Sequence, residues 1–146
     1  MLGYPTFTRL AGAAAAVALL AVSSATQVQA QSGEPIKIGL GIAMTGGLAG
    51  PGKQALLGVK IWEDQINKKG GLLGRPVRVI AYDDQTNAST VPGIYTKLID
   101  VDKVDLILGP YATNMIEPAM PVVMQKGKTI IGLFGLAVNL GWFPAL

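Results

Sequence analysis

The chain has 146 residues, half of them apolar and 14% charged, with a mean hydropathy of +0.43. It contains no Cys and no His, which excludes disulfides, thiolate zinc sites, Cys nucleophiles, Ser-His-Asp triads and lipidation on a cysteine. A formal charge of +3 is too small and too scattered for a nucleic-acid surface, and the 19 Gly and 9 Pro follow no fixed period, which excludes collagen and low-complexity disorder.

Residues 1–9 hold one charge, Arg9, and residues 10–22 (LAGAAAAVALLAV) are an unbroken apolar run of 13. Crossing a bilayer takes roughly 20 apolar residues, whereas the apolar core of a signal peptide takes about 7–15. A short polar stretch follows, and Val28-Gln29-Ala30 puts small residues where signal peptidase cuts. Residues 1–30 therefore read as a cleaved signal peptide. An uncleaved anchor is the alternative, and the shortness of the run speaks against it.

Beyond the leader, strand and helix patterns alternate. Residues 36–43 (IKIGLGIA) are short, apolar and followed by a Gly-rich loop, so they read as a strand. Residues 53–68 read as a helix, with Ala55, Val59, Trp62 and Ile66 on one face and Gly70-Gly71 at its end. Residues 76–82 (PVRVIAY) alternate as a partly covered strand, and Asp83-Asp84-Gln85-Thr86-Asn87 is a polar loop. Val91, Ile94, Tyr95 and Leu98 mark a second helix, capped by Ser89 or Thr90 with Pro92 in its first turn. Residues 104–108 (VDLIL) form a third strand stopped by Gly109-Pro110. A third helix is expected near Glu117-Pro118, running to Gln125, because Pro118 and Pro121 suit only a first turn. Residues 128–134 (KTIIGLF) form a fourth strand.

This order predicts an α/β fold: a three-layer parallel sheet with helices on both faces and right-handed crossovers. Ligands of such sheets collect at the carboxyl ends of the strands, here residues 44–52, 83–87, 109–114 and 135–139. The first of these loops fails as a nucleotide fingerprint. Gly39-x-Gly41-x-x-Met44 lacks the third glycine, and Lys53 is followed by Gln54 rather than Ser or Thr. Asp83-Asp84 could hold a metal ion or take a phosphoryl group, but loop and cap hydrogen bonding is the favoured reading, because no acidic residue follows the first strand. Tyr111-Ala112-Thr113-Asn114 joins a strand to a helix. A hydroxyl with backbone amides there suits a carboxylate, and ordinary capping by Thr113 or Asn114 explains it equally well. No nucleophile, general base or metal cluster emerges.

One ordered set of residues carries more. Met44-Thr45-Gly46, Gly52, Gly58, Ile66-Asn67, Gly70-Gly71, Gly74-Arg75, Tyr82-Asp83-Asp84, Val104, Gly109-Pro110 and Pro118-Ala119 resemble branched-chain amino-acid-binding proteins, the Leu/Ile/Val-type periplasmic solute-binding components of ABC importers. The resemblance runs from about residue 36 to 139. It implies a two-lobed clamshell that closes on its ligand by hinge motion, a periplasmic location, an ABC permease of the inner membrane as partner, no cofactor and no catalysis.

The resemblance also implies a binding site. Tyr111, Ala112 and Thr113 match the first-lobe segment that holds a ligand carboxylate, with Thr113 at the family's hydroxyl position. Gly135, Leu136 and Ala137 match a second segment, where Leu136 stands in place of a hydroxyl. Pro51 takes the place from which relatives lay an aromatic ring on the ligand. With Phe134 and Tyr111 nearby, these departures point to an apolar or aromatic carboxylate rather than a plain α-amino acid.

Relatives are more than twice as long. The expected organisation is therefore a signal peptide (residues 1–30), a partial first lobe (31–139) and an atypical tail (140–146) after an apparent truncation, with the piece non-functional alone. Two other readings are a ligand-sensing domain of a receptor or regulator with the same fold, and a small α/β enzyme. The leader disfavours a cytosolic sensor, and the missing His, Cys and phosphate motifs disfavour the enzyme.

Overall fold

The computed structural model describes residues 33–133 and 135. The leader and the segment from residue 136 onward, including the expected tail, lie outside these. The elements alternate as β1 (Ile36–Ile42), α1 (Ala49–Lys68), β2 (Val77–Asp83), α2 (Val91–Asp100), β3 (Leu106–Tyr111), α3 (Thr113–Gln125) and β4 (Ile130–Leu133). All strand pairs are parallel, in the order β2-β1-β3-β4.

The central strand shows why the layers assemble. Ile38 packs with Val77, Val79, Val59 and Ile66 on the α1 side of the sheet. Gly39 and Gly41 face the other way, where an added Cβ would meet Val104 and Leu98, or Tyr95 and Ile94, at 3.1–3.2 Å. Large residues on one face of β1 and glycines on the other let α2 settle close to the backbone. On that side Val91, Tyr95, Leu98, Val104, Ile107, Met115, Ala119 and Val123 form one buried cluster shared by α2 and α3. The expected three layers are present: α1 on one face, α2 and α3 on the other.

Several boundaries differ from the sequence reading. Helix α1 begins at Ala49, four residues before Lys53. Its first turn, Ala49-Gly50-Pro51-Gly52, looks like loop composition. It is held by the Leu48 amide donating to Thr86 Oγ1 at 3.0 Å and by Gly52, where a Cβ would stand 2.1 Å from the Ala43 carbonyl oxygen. The stripe read as one helical face is not evenly covered. Val59 and Ile66 meet the sheet, whereas Trp62 is 40% exposed.

Strand β3 is not stopped by Gly109-Pro110 but runs through both to Tyr111. Its pairing with β4 shifts register between Leu108 and Tyr111, the kind of irregularity where a strand tolerates proline. Helix α3 starts at Thr113, so Pro118 and Pro121 lie inside it rather than in its first turn. Each interior proline costs about 3 kcal/mol relative to alanine. Burial of Met115, Ile116 and Val123, at about 1.5–3 kcal/mol each, offsets that.

Candidate functional site

Strand order places the site. The chain passes from β1 outward to β2, then crosses back to β3 on the other side of β1. The carboxyl ends of β1 and β3 therefore flank the topological switch point, where open α/β sheets take their ligands. The loop after β1, residues 43–48, faces there, and so does the junction from β3 into α3.

The loop after β1 is clamped by Asp83. Its Oδ1 accepts from the amides of Met44 (2.8 Å), Thr45 (3.1 Å) and Gln85 (2.9 Å), and its Oδ2 accepts from the Thr45 hydroxyl at 2.7 Å. Thr86 Oγ1 donates to the Thr45 carbonyl at 2.9 Å. Burial opposes ionisation of Asp83, but the hydrogen bonds from Thr45, Gln85 and Met44 outweigh it and hold the carboxyl at about 2. Asp84 sits differently. Its side chain is fully buried, Oδ1 accepts from the Thr86 amide at 2.8 Å, and Oδ2 has no partner among the described residues. Burial first, then the neighbouring Asp83 charge, pushes its carboxyl up against the Thr86 hydrogen bond. The pair is a loop clamp, in keeping with the hydrogen-bonding reading. Among the described residues no group of three or more acidic side chains could hold a metal.

Behind the site, the Tyr95 hydroxyl donates to the Leu108 carbonyl at 2.7 Å and accepts from the Gly41 amide at 3.3 Å. This buried bridge ties α2 to β1 and β3 directly below the switch point, and burial pushes the phenol above its ordinary range.

At the β3–α3 junction Ala112 has φ 79° and ψ 150°, a region that only glycine enters without strain. The turn lets α3 start at once. The Ala112 carbonyl accepts from the Met115 and Ile116 amides at 3.1 and 3.0 Å. Neither Thr113 nor Asn114 is the cap. The N-cap position is Ala112, and no side-chain cap bond is made. Likewise Thr90 holds the N-cap position of α2 while its hydroxyl donates to the Asp84 and Asn87 carbonyls instead.

A cleft of about 570 Å³ opens between α1 and the ends of β3 and β4, lined by Pro51, Gln54, Ala55, Gly58, Val59, Tyr111 and Leu133. It brings together two of the expected site residues, Pro51 and Tyr111. Ala112 and Thr113 continue from Tyr111 into α3 without lining the cleft. Gly135 lies two residues past β4 and is half-buried. Leu136, Ala137 and Phe134 lie outside the described residues. Sequence reasoning missed the wall formed by Gln54, Gly58 and Leu133. The register shift in β3 is what puts Tyr111 beside Leu133, its partner in β4. The trace of that wall in the sequence is Ala55 and Val59, two members of the apolar stripe of α1 that line the same cleft.

A family model described as periplasmic binding protein matches residues 35–144. The Leu/Ile/Val-binding protein of Escherichia coli K12 is 26% identical over 98 residues, which is 67% of this chain and 26% of that protein. The branched-chain amino acid transporter substrate binding protein LivJ from Streptococcus pneumoniae, solved in complex with isoleucine, aligns with a TM-score of 0.70 at 25% identity. That match covers 73% of this chain and 31% of that one. A solute binding protein of an ABC transporter from Rhodopseudomonas palustris BisB5, in complex with 3,4-dihydroxybenzoic acid, aligns with a TM-score of 0.62 at 31% identity, covering 69% and 27%. The chain spans about a quarter of the length of the curated relatives it matches.

Proposed function

The chain belongs to the periplasmic binding protein family, and from that premise we propose that residues 31–139 are part of the first lobe of an ABC-importer solute-binding protein for amino acids or related small carboxylates. Its relatives are solute-binding proteins, not enzymes. The observation that carries the reading is the strained Ala112 at the switch point. It starts α3 against the sheet end, where helix amides and the positive end of the helix dipole favour a carboxylate. In this reading Tyr111, Ala112 and Thr113 hold the carboxylate and Pro51 lies against the rest of the ligand. Gly135, Leu136 and Ala137 complete the rim, an ABC permease receives the ligand, and residues 1–30 direct export and are removed. An exported product that begins at Gln31 by mass is the check on the leader.

Within the carboxylates, the site favours an apolar or aromatic acid. Pro51 and Tyr111 line one cleft with no charged side chain, and a 31%-identical structure holds a hydroxylated benzoate. Calorimetric titration of the complete protein against leucine and against benzoates tests this. Tighter binding of the benzoate is expected. Tighter binding of leucine sinks the aromatic preference, and heat from neither sinks the carboxylate reading itself.

A further inference from the structure

We propose that the outer edge of β2 is a pairing surface for a second copy of this chain, held closed by three side chains of α1. Strand β2 ends the described sheet on the side away from β3. Its seven residues pair with β1 in unbroken register, from Ile36↔Val77 to Ile42↔Asp83, so neither a bulge nor a proline blunts it. A strand of that length carries a row of amides and carbonyls on its free side, which takes up another strand unless it is covered. The Pro76 carbonyl accepts from the Ile36 amide, and the Asp84 amide donates to the Ile42 carbonyl, so the even-numbered residues bond β1. The odd-numbered Val77, Val79 and Ala81 therefore turn their amides and carbonyls outward.

Side chains of α1 take the places that a neighbouring strand would take. Asn67 exchanges two bonds with Val77: its Oδ1 accepts from the amide at 2.7 Å, and its Nδ2 donates to the carbonyl at 2.8 Å. At Val79, Glu63 Oε1 accepts from the amide at 2.7 Å, and Lys60 Nζ donates to the carbonyl at 3.1 Å. Lys60 and Glu63 are themselves joined at 2.8 Å, which keeps both heads over the edge. Residues 60, 63 and 67 stand at i, i+3 and i+7 on one flank of the helix, so they reach two successive outward residues of the strand. The occupant follows from the edge itself, because alternating donors and acceptors are their own complement. A two-fold axis through the sheet at Val79 pairs that residue with its copy, antiparallel, and pairs Val77 with Ala81 of the second copy. That pairing uses the same groups that Lys60, Glu63 and Asn67 now hold. It also leaves Val77 and Val79 packed on Val59 and Ile66 in each copy.

The test uses the full chain, with sedimentation equilibrium for self-association and hydrogen exchange at the Val77 and Val79 amides. Glu63→Ala with Asn67→Ala is expected to self-associate at least tenfold more tightly than the wild type. Both amides are expected to be protected in the associated form and to lose that protection on dilution to monomer. Glu63→Gln keeps an oxygen for the Val79 amide and is expected to associate no more than the wild type. The proposal is overturned if the double variant keeps its far-UV circular dichroism and the wild-type association constant. It is also overturned if the variant associates while both amides exchange as fast as in the monomer, which assigns the contact to another surface. Should the double variant lose its far-UV signal, Asn67→Leu alone, which frees the Val77 groups and leaves Lys60 and Glu63 in place, is read by the same two criteria.

Discussion

Ala112 is the residue at which sequence and geometry are most at odds. Its φ of 79° with ψ of 150° costs on the order of 1–3 kcal/mol in a residue bearing a Cβ. Ala112→Gly removes the clash while keeping the turn, so it is expected to raise the unfolding free energy by about 1 kcal/mol in urea melts. An unchanged or lower midpoint would mean that the turn is not strained. Asp83 makes a second prediction through pH. Its folded carboxyl lies at about 2, below the unfolded value of about 3.9. The stabilisation it supplies is therefore fully present above about pH 4 and is lost as pH falls toward 2. Asp84 has the opposite sign. Its raised folded value means that ionisation on going above the unfolded value weakens the folded state. Asp83→Asn is expected to flatten the acid limb of the stability profile and lower the plateau, whereas Asp84→Asn leaves that limb in place. Identical acid limbs in wild type and Asp83→Asn would show that the clamp contributes nothing.

Among the elements, α1 depends most on a single small side chain. Gly52 is its one buried residue, and a Cβ there would fall 2.1 Å from the Ala43 carbonyl oxygen. The neighbour is backbone at the end of β1 and cannot rotate away. Gly52→Ala is expected to push the first turn of α1 off the sheet and destabilise the fold by about 1–3 kcal/mol. Gly58→Ala, into open space, is the control and is expected to gain up to about 1 kcal/mol of helix propensity. Equal effects of the two in chemical denaturation would remove the close-approach argument. Helix α3 is the reverse case. Two interior prolines weaken its backbone, and its buried face keeps it in place.

At the scale of the molecule, β4 is the end strand of the described sheet, and the switch point lies at β1 and β3. On the proposed reading, a carboxylate at Tyr111, Ala112 and Thr113 would contact one wall only, whereas a clamshell encloses its ligand between two. The chain by itself is therefore expected to show no binding of leucine or benzoate at micromolar concentrations. A micromolar Kd for the folded chain by calorimetry would refute this and would mean that one wall suffices. The match covers about a quarter of the length of those relatives, consistent with a second wall built elsewhere.

The sequence by itself determined the alternation of strand and helix, the parallel sheet and the loops where polar residues gather. Burial writes itself locally as periodicity: IKIGLGI alternates bulk and glycine, and Val91, Tyr95 and Leu98 recur at helical spacing. The ordered Gly, Asp and Pro motifs also pointed to the family that the comparisons show. Tertiary structure alone decided the strand order, and with it the switch point, because pairing partners are set by packing between distant segments. It also decided where α1 and α3 begin. Ala49-Gly50-Pro51-Gly52 and the two prolines of α3 have poor local propensity, and contacts with Ala43, Thr86 and the α2 cluster override it. The meeting of Pro51 with Tyr111 was invisible along the chain for the same reason. A register shift in β3 and the approach of α1 bring residues 60 positions apart to one cleft, and no local pattern encodes that proximity.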